Sequence, residues 1–422
     1  MPGDVRAGPQ AALRRLFDRA VEVADPMRSL ARHLPERPSG RIIVVGAGKA
    51  SARMAEAVEA AWGPCEGLVI TRDGHGRPLR GIEVVEASHP VPDPRGEAAT
   101  TRMLALLENR GKGDFVLALI SGGASALLVA PREGMTLGDK RAVNAALLAS
   151  GAPIGAMNVV RKHLSRVKGG QLAAAAYPAR LLALLISDVP GDHPAVIGSG
   201  PTVGDGSTPA EALAILDRWG VEPSPAVRTV LSRPSGVVPP GDPRLSRTET
   251  RVIAGPAQSL AAAAEMARAA GWRVRLLGDA LEGEAREVAR VMAGEALVAQ
   301  RGLAPGERLV LLSGGELTVT RRGDGVGGPN AEFALALALA LNGAPGVHAL
   351  ACDTDGVDGA AEVAGAVVGP DTLARARTLG LDPQGMLDAN DAHSFFGALG
   401  DQVVTGPTLT NVNDFRAVLV EG

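Results

Sequence analysis

Of the 43 lysines and arginines in the chain, only Lys49, Lys112, Lys140, Lys162 and Lys168 are lysine. Where arginine is written almost everywhere, a lysine marks a place that suits a compact ammonium. Lys49 stands in Gly46-Ala47-Gly48-Lys49-Ala50-Ser51, between an apolar run and an Ala-rich stretch. Gly46 and Gly48 permit a tight turn and close backbone approach to phosphate at a helix N-terminus. An ammonium beside transferring oxygens offsets their developing charge, which is phosphoryl-transfer chemistry. The loop is no Walker A, because position 43 is isoleucine, and it is an imperfect dinucleotide fingerprint, because its third glycine is Ser51. Thr71-Arg72-Asp73 ends the next apolar run and keeps a dinucleotide reading open, with an acid for a ribose or an arginine for a 2′-phosphate. The plain alternative is a solvated lysine.

Asp188 and Asp192 follow the apolar run at 181–187 and precede Gly198-Ser199-Gly200. An acid just past a buried strand can act as general base or hold a phosphate-bound metal; otherwise it caps a turn. Ser121-Gly122-Gly123 and Ser313-Gly314-Gly315 both follow apolar runs and read either as two anion cradles of backbone N–H groups or as ordinary turns. Residues 140–187 hold seven lysines and arginines and no acid, so their counter-charge must come from elsewhere in the fold or from an anionic ligand. Within them, 157–173 reads as a helix carrying Arg161, Ser165 and Lys168 on one face. Asp353 and Asp355, in Cys352–Gly359, fail the EF-hand pattern but leave Mg²⁺ open, since Mg²⁺ needs only one or two protein carboxylates. His89 and Asp93 lie in a Pro-rich loop that lines a cleft or serves as a connector. Zinc and serine-hydrolase motifs are missing from the sequence.

The elements that must position these groups are legible as alternation. Apolar runs at 41–48, 67–74, 114–123 and 179–192 are separated by Ala-rich helical stretches, which suits an open, mostly parallel sheet with crossover helices. The helix at 10–24 is expected to pack against that sheet. Residues 232–250, rich in Pro, Gly and Ser, read as a linker, and runs at 251–255, 272–279, 307–320 and 347–356 as a second α/β domain. The reading is therefore two domains, 1–240 and 241–422. Hydrophobic residues make up 46%, enough for large cores, while a net charge of −3 and 2% aromatics argue against nucleic-acid binding. Two cysteines cannot build a disulfide framework. The N-terminus lacks a signal-type apolar run, and 331–343 is too short to span a bilayer, so a cytoplasmic protein without membrane contact is expected.

Seven segments in order, IIVVGAGKAS, ASHPVPDPRG, LISGGASALL, ISDVPGDHPAVIGSGPT, GVGGPNAEF, DTDGVDGAAEVAG and TGPTLTNVNDF, resemble the motifs of the class II glycerate 2-kinases over roughly residues 10–420. Members of that family also carry the name hydroxypyruvate reductase. The resemblance implies a Rossmann-like N-terminal domain, a C-terminal MOFRL domain, and a cleft between them. There ATP would phosphorylate D-glycerate to 2-phosphoglycerate with Mg²⁺. The family's catalytic lysine maps onto Lys49. Relatives often read GGRNQE where this chain has Gly327-Gly328-Pro329-Asn330-Ala331-Glu332, so Arg161, Lys168 and Arg321 are the candidates to supply the charge that Pro329 lacks.

On this reading Lys49 stabilises the phosphoryl group. Asp188 is the preferred base, with Asp192 in reserve, and the loops at 121–123 and 198–200 bind phosphate or carboxylate. Asn330 and Glu332 shape the nucleotide side, and Asp188, Asp353 and Asp355 are the metal candidates. The partners are D-glycerate and a nucleotide; a homodimer is compatible with the sequence, which does not fix oligomeric state. The rivals are an NAD(P)H-dependent hydroxypyruvate reductase and a non-catalytic sugar-acid-binding protein.

Overall fold

The computed structural model of the chain describes residues 8–359 and 361–422. The first sheet is built from β1 (Ile42–Ala47), β2 (Glu66–Arg72), β3 (Ile82–Ala87), β4 (Phe115–Ile120), β5 (Arg180–Ile186) and β6 (Thr248–Ala254), in the order β3-β2-β1-β4-β5-β6. β1 to β5 pair in parallel, with Ile43 opposite both Glu66 and Val116. Every residue of β1 and β4 is buried, which is why these strands are unbroken apolar runs rather than alternating ones. The chain builds outward from β1 through β2 to β3, then returns to lay β4 on β1's other side. Strand order therefore reverses between β1 and β4, and it is at the carboxyl ends of such strands that open α/β sheets bind ligands.

The second sheet contains β7 (Arg273–Glu284), β8 (Arg308–Thr318), β9 (Val347–Asp353), β10 (Gly365–Val368), β11 (Gln402–Val403) and β12 (Asp414–Glu421), ordered β11-β10-β9-β12-β8-β7. Its pairings are antiparallel except for β7 with β8. The helix Pro329–Leu341 is apolar on all sides and buried in this unit's core. Among the described residues no helix is long and apolar enough to cross a membrane.

Three expectations about organisation are corrected. The helix Pro9–Ala24 packs on the second sheet's core, not the first: Leu13, Leu16 and Phe17 join Leu260 and Phe415, with Phe17 and Phe415 ring centroids 5.9 Å apart. The run at 251–255 belongs to β6, so it completes the first sheet instead of opening the second. The Pro-rich stretch 232–250 is tied down, not a free linker: Val238 N–H donates to Gly169 O at 2.9 Å and Asp205 N–H to Val238 O at 2.8 Å. Backbone hydrogen bonds anchor this segment although its composition breaks periodicity. The chain thus divides into Pro26–Asp188 with Asp192–Ile253, and the described residues before Pro26 with Val189–Gly191 and Ala254–Gly422.

Candidate functional site at the carboxyl ends of the first sheet

Lys49 leaves β1 at the point where strand order reverses. Its backbone is held on both sides: Lys49 N–H donates to Gly122 O at 2.8 Å, and its carbonyl lies 3.2 Å from His75 Nδ1. Ser121 Oγ accepts the Ala50 N–H at 3.0 Å, so the loops after β1 and β4 are stitched together. The glycines make this approach feasible. Gly48 has φ +135°, and a Cβ there would meet Ser121 Oγ at 2.1 Å; one on Gly46, inside β1, would meet Leu119 O at 2.4 Å. The neighbouring loop fills the space these glycines leave. Gly123 lies against the Lys49 side chain and His89, a Cβ there standing 3.2 Å from Lys49 Cγ and from His89 Nε2. Among the described residues nothing accepts the N–H groups of Gly122 or Gly123, so the first Ser-Gly-Gly offers two donors beside the lysine.

The loop after β5 completes the arrangement. Gly198, Ser199 and Gly200 all have left-handed φ, near 57°, 62° and 63°. The Ser199 and Gly200 N–H groups are taken by Val196 O and Ile197 O, so neither is left to bind an anion. The loop contributes instead through oxygens and a side chain. Ser199 Oγ lies 2.9 Å from Ser125 Oγ and 3.2 Å from Asn158 Oδ1, and Gly198 O accepts from Lys168 Nζ at 2.9 Å. Asp188 stands just past β5, half-buried. Asp192 has φ +53°, and its Oδ1 is buried without a hydrogen-bond partner.

The expected helix over 157–173 stops at His163 and restarts at Gln171, with Gly169 and Gly170 at φ +60° and +78° between. Arg161, Ser165 and Lys168 therefore do not share a helical face. Ser165 Oγ turns inward to accept the Val167 and Lys168 N–H groups. The fold still brings Arg161 and Lys168 into one polar network, through Asn158, Ser199 and Ser125. Burial pushes the Lys168 ammonium far below its ordinary pKa, helped by Lys140, Arg161 and Lys162. Burial beside Arg161 brings Lys140 to about 7.

In the second unit the expected site residues behave differently. Ser313, Gly314 and Gly315 lie within β8, not in a turn after it. Gly315, at φ +94°, is needed because a Cβ would meet Leu281 O at 2.2 Å, and Arg416 donates to Gly314 O. Asn330 and Glu332 are fully buried. The Asn330 amide donates to Asp414 at 2.7 Å, and Glu332 pairs with Arg286 at 2.7 Å and accepts from Asn390 at 2.8 Å. These bonds tie the helix to its neighbours, while Asn330 Oδ1 is buried without a hydrogen-bond partner. Asp358, which the sequence placed with Asp353 and Asp355 as a magnesium or acidic-turn candidate, accepts the N–H groups of Asn330 and Ala331 at 2.9 and 2.8 Å, anchoring the helix Pro329–Leu341. Asp353 Oδ1 and Asp355 Oδ1 accept the Asp355 and Val357 N–H groups, the pattern of an acidic turn. Among the described residues no group of three or more His, Cys, Asp or Glu could hold a metal ion. Asp93 likewise caps a helix, accepting from Gly96 N–H at 3.0 Å.

Comparison with known proteins decides the family. Residues 12–232 match a domain of unknown function, DUF4147, and residues 309–414 match the MOFRL family. A D-glycerate 2-kinase of Thermotoga maritima is 38% identical over 96% of this chain and 97% of its own. The chain belongs to the glycerate 2-kinase family, with its MOFRL domain. Another relative, from Agrobacterium vitis, is 54% identical over 97% of this chain and 94% of its own, and bears a provisional hydroxypyruvate reductase name. The crystal structure of glycerate kinase (EC 2.7.1.31) from Thermotoga maritima superposes with a TM-score of 0.86 at 36% identity, covering 98% of this chain and all of that one. In this glycerate 2-kinase family member, Pro329 occupies the first turn of the helix Pro329–Leu341, where its missing N–H costs no intrahelical bond. Arg321 is turned onto its own loop, donating to Gly323 O and Gly325 O.

Proposed function

We propose that this chain transfers the γ-phosphoryl group of ATP to the 2-hydroxyl of D-glycerate. One observation carries the reading: a lysine at the strand-order reversal of a parallel sheet, against a Ser-Gly-Gly turn with two N–H donors to spare. The names of the glycerate kinase relatives support the choice of acceptor.

On this reading Lys49 and the Gly122 and Gly123 N–H groups surround the phosphoryl oxygens and stabilise charge as it shifts to the leaving group. Asp192 ranks before Asp188 as acceptor of the hydroxyl proton, because its buried Oδ1 has no hydrogen to accept from the protein. The same orphaned oxygen fits a magnesium ion, with Asp188 as the second carboxylate, whereas Asp353 and Asp355 are engaged in their own turn. Bound Mg²⁺ would draw charge from the phosphate oxygens.

The reductase reading has less support. Its ribose acid would be Asp73, but Arg95 grips both Asp73 oxygens at 2.7 and 2.9 Å. Gly48 is spent on close packing with the neighbouring loop, since Ser121 Oγ stands 2.1 Å from where its Cβ would be. The purified chain with D-glycerate, ATP and Mg²⁺ is expected to release ADP. NADPH oxidation with hydroxypyruvate in the absence of ADP release would refute the proposal.

A further inference from the structure

Seven lysines and arginines in 140–187 come without an acid. The fold supplies partners for some of them. Lys162 pairs with Asp205 at 2.5 Å, Arg180 with Glu249 at 3.6 Å, and Arg141 and Arg166 are exposed. Lys140, Arg161 and Lys168 receive only neutral oxygens. Lys140 Nζ donates to Arg161 O at 3.4 Å and Leu164 O at 3.2 Å. Lys168 Nζ donates to Ser125 Oγ at 3.1 Å and Gly198 O at 2.9 Å. Arg161 Nε donates to Asn144 Oδ1 at 2.8 Å and Nη1 to Asn158 Oδ1 at 3.3 Å. Among the described residues none of the three makes an ion pair. Lys168 is completely buried and Lys140 is 7% exposed. Carbonyls and hydroxyls satisfy the N–H groups of a buried cation but not its charge, and such a cluster is costly unless an anion joins it.

We infer that Lys140, Arg161 and Lys168, with Ser125, Asn158 and Ser199, form the pocket that receives the carboxylate of the hydroxy-acid acceptor. The identity of the acid rests on the phosphotransfer reading above; the demand for a small oxyanion does not. Ser125 and Arg161 are the half-buried members and form the mouth, with the lysines behind them. Arg161 Nη2 has no hydrogen bond to the protein and is suited to a carboxylate oxygen. Position argues for the acid over the nucleotide. Gly123 touches the Lys49 side chain, and two residues on Ser125 bonds Lys168. One short turn thus separates two cationic sites, one for the phosphoryl group and one for the acid's far end. Charge capture at the carboxylate would fix which hydroxyl faces Lys49.

Binding also has a proton signature. The groups facing Lys168 are Lys140, Arg161 and Lys162, and Asp205 neutralises the last; Arg161 faces Lys140. These cations and burial hold both ammonium pKa values down in the free protein. An incoming carboxylate raises them, so binding takes up protons at pH 8, and the uptake shrinks toward pH 6 as Lys140 arrives already charged.

The test is calorimetric titration of the full chain with D-glycerate, with and without a non-hydrolysable ATP analogue, in buffers of different ionisation enthalpy. Glycerol, inorganic phosphate and ATP serve as comparison ligands. Lys168→Met and Arg161→Gln are expected to weaken D-glycerate about 10-fold or more while leaving ATP affinity unchanged. Glycerol, lacking the carboxylate, should not bind. The melting temperature of ligand-free Lys168→Met should not fall, because a buried amine held far from its ordinary protonation state has been removed; this separates a binding defect from misfolding. Unchanged glycerate affinity in both variants, or no glycerate binding under any condition, overturns the inference. So does loss of ATP or phosphate affinity with glycerate affinity intact, which would make this the nucleotide's phosphate site. Lost glycerate affinity in the variants, from a protein that never releases ADP, would defeat the kinase reading alone.

Discussion

At the level of single residues, Lys49 and Asp192 carry the chemistry proposed here. Lys49→Ala should lower kcat about 10²–10³-fold or more while keeping the bonds that its backbone N–H and C=O make to Gly122 and His75. Steady-state kinetics beside a melting curve checks this; activity near wild type would remove the lysine from the mechanism. Asp192→Asn should lower kcat more than Asp188→Asn, and the reverse order would restore Asp188 as the base. Both residues were legible in the sequence by type and position alone. The protein partners of Asn330 and Glu332 were hidden for a physical reason: a polar residue at a helix start looks the same whether it faces a ligand or a buried partner. Asp358, Arg286 and Asn390, which satisfy them or their helix, lie 28 to 58 residues away. That distance is what hid the network. The acid-free stretch was visible, but Ser125 and Asn158 carry no signal of their own until the loops close around Lys168.

At the level of elements, the loops after β1, β4 and β5 are positioned by glycine and by hydrogen bonds that composition does not reveal. Gly48→Ala would force a left-handed backbone and drive a methyl into Ser121, so it should cost about 2 kcal/mol or more and depress activity together with stability. Denaturant unfolding of the variant measures it. In the second unit, Arg286 on the helix Ala285–Gln300 pins Glu332 on Pro329–Leu341, and both side chains are almost fully buried. Arg286→Ala would strand a buried carboxylate and should destabilise by about 3–5 kcal/mol, whereas replacing both by apolar residues should cost much less. The run of Ser-Gly-Gly after apolar residues was an honest ambiguity of pattern: at 121–123 it is a turn, and at 313–315 it is strand interior beside a bulged β7. Local sequence cannot separate these, because the bulge is set by the partner strand.

At the level of the whole chain, the parallel core of the first sheet was readable because β1, β4 and β5 are buried on both faces and therefore uniformly apolar. The assignment of outlying elements was not. The helix Pro9–Ala24 has an apolar face that would suit either sheet, and only packing on Leu260 and Phe415 decides. Phe17→Ala should destabilise the second unit by about 3–5 kcal/mol while sparing the first, a difference that hydrogen exchange resolves unit by unit.

This glycerate 2-kinase family member is proposed to move a phosphoryl group, not a hydride. The most direct measurement is to incubate the purified chain with D-glycerate, ATP and Mg²⁺ and identify the products by ³¹P NMR. Stoichiometric ADP and a phosphate ester on carbon 2 are predicted, with both formed about 10²-fold or more slower by Lys49→Ala. An unchanged ATP spectrum, from a preparation that oxidises NADPH when given hydroxypyruvate, would contradict the account.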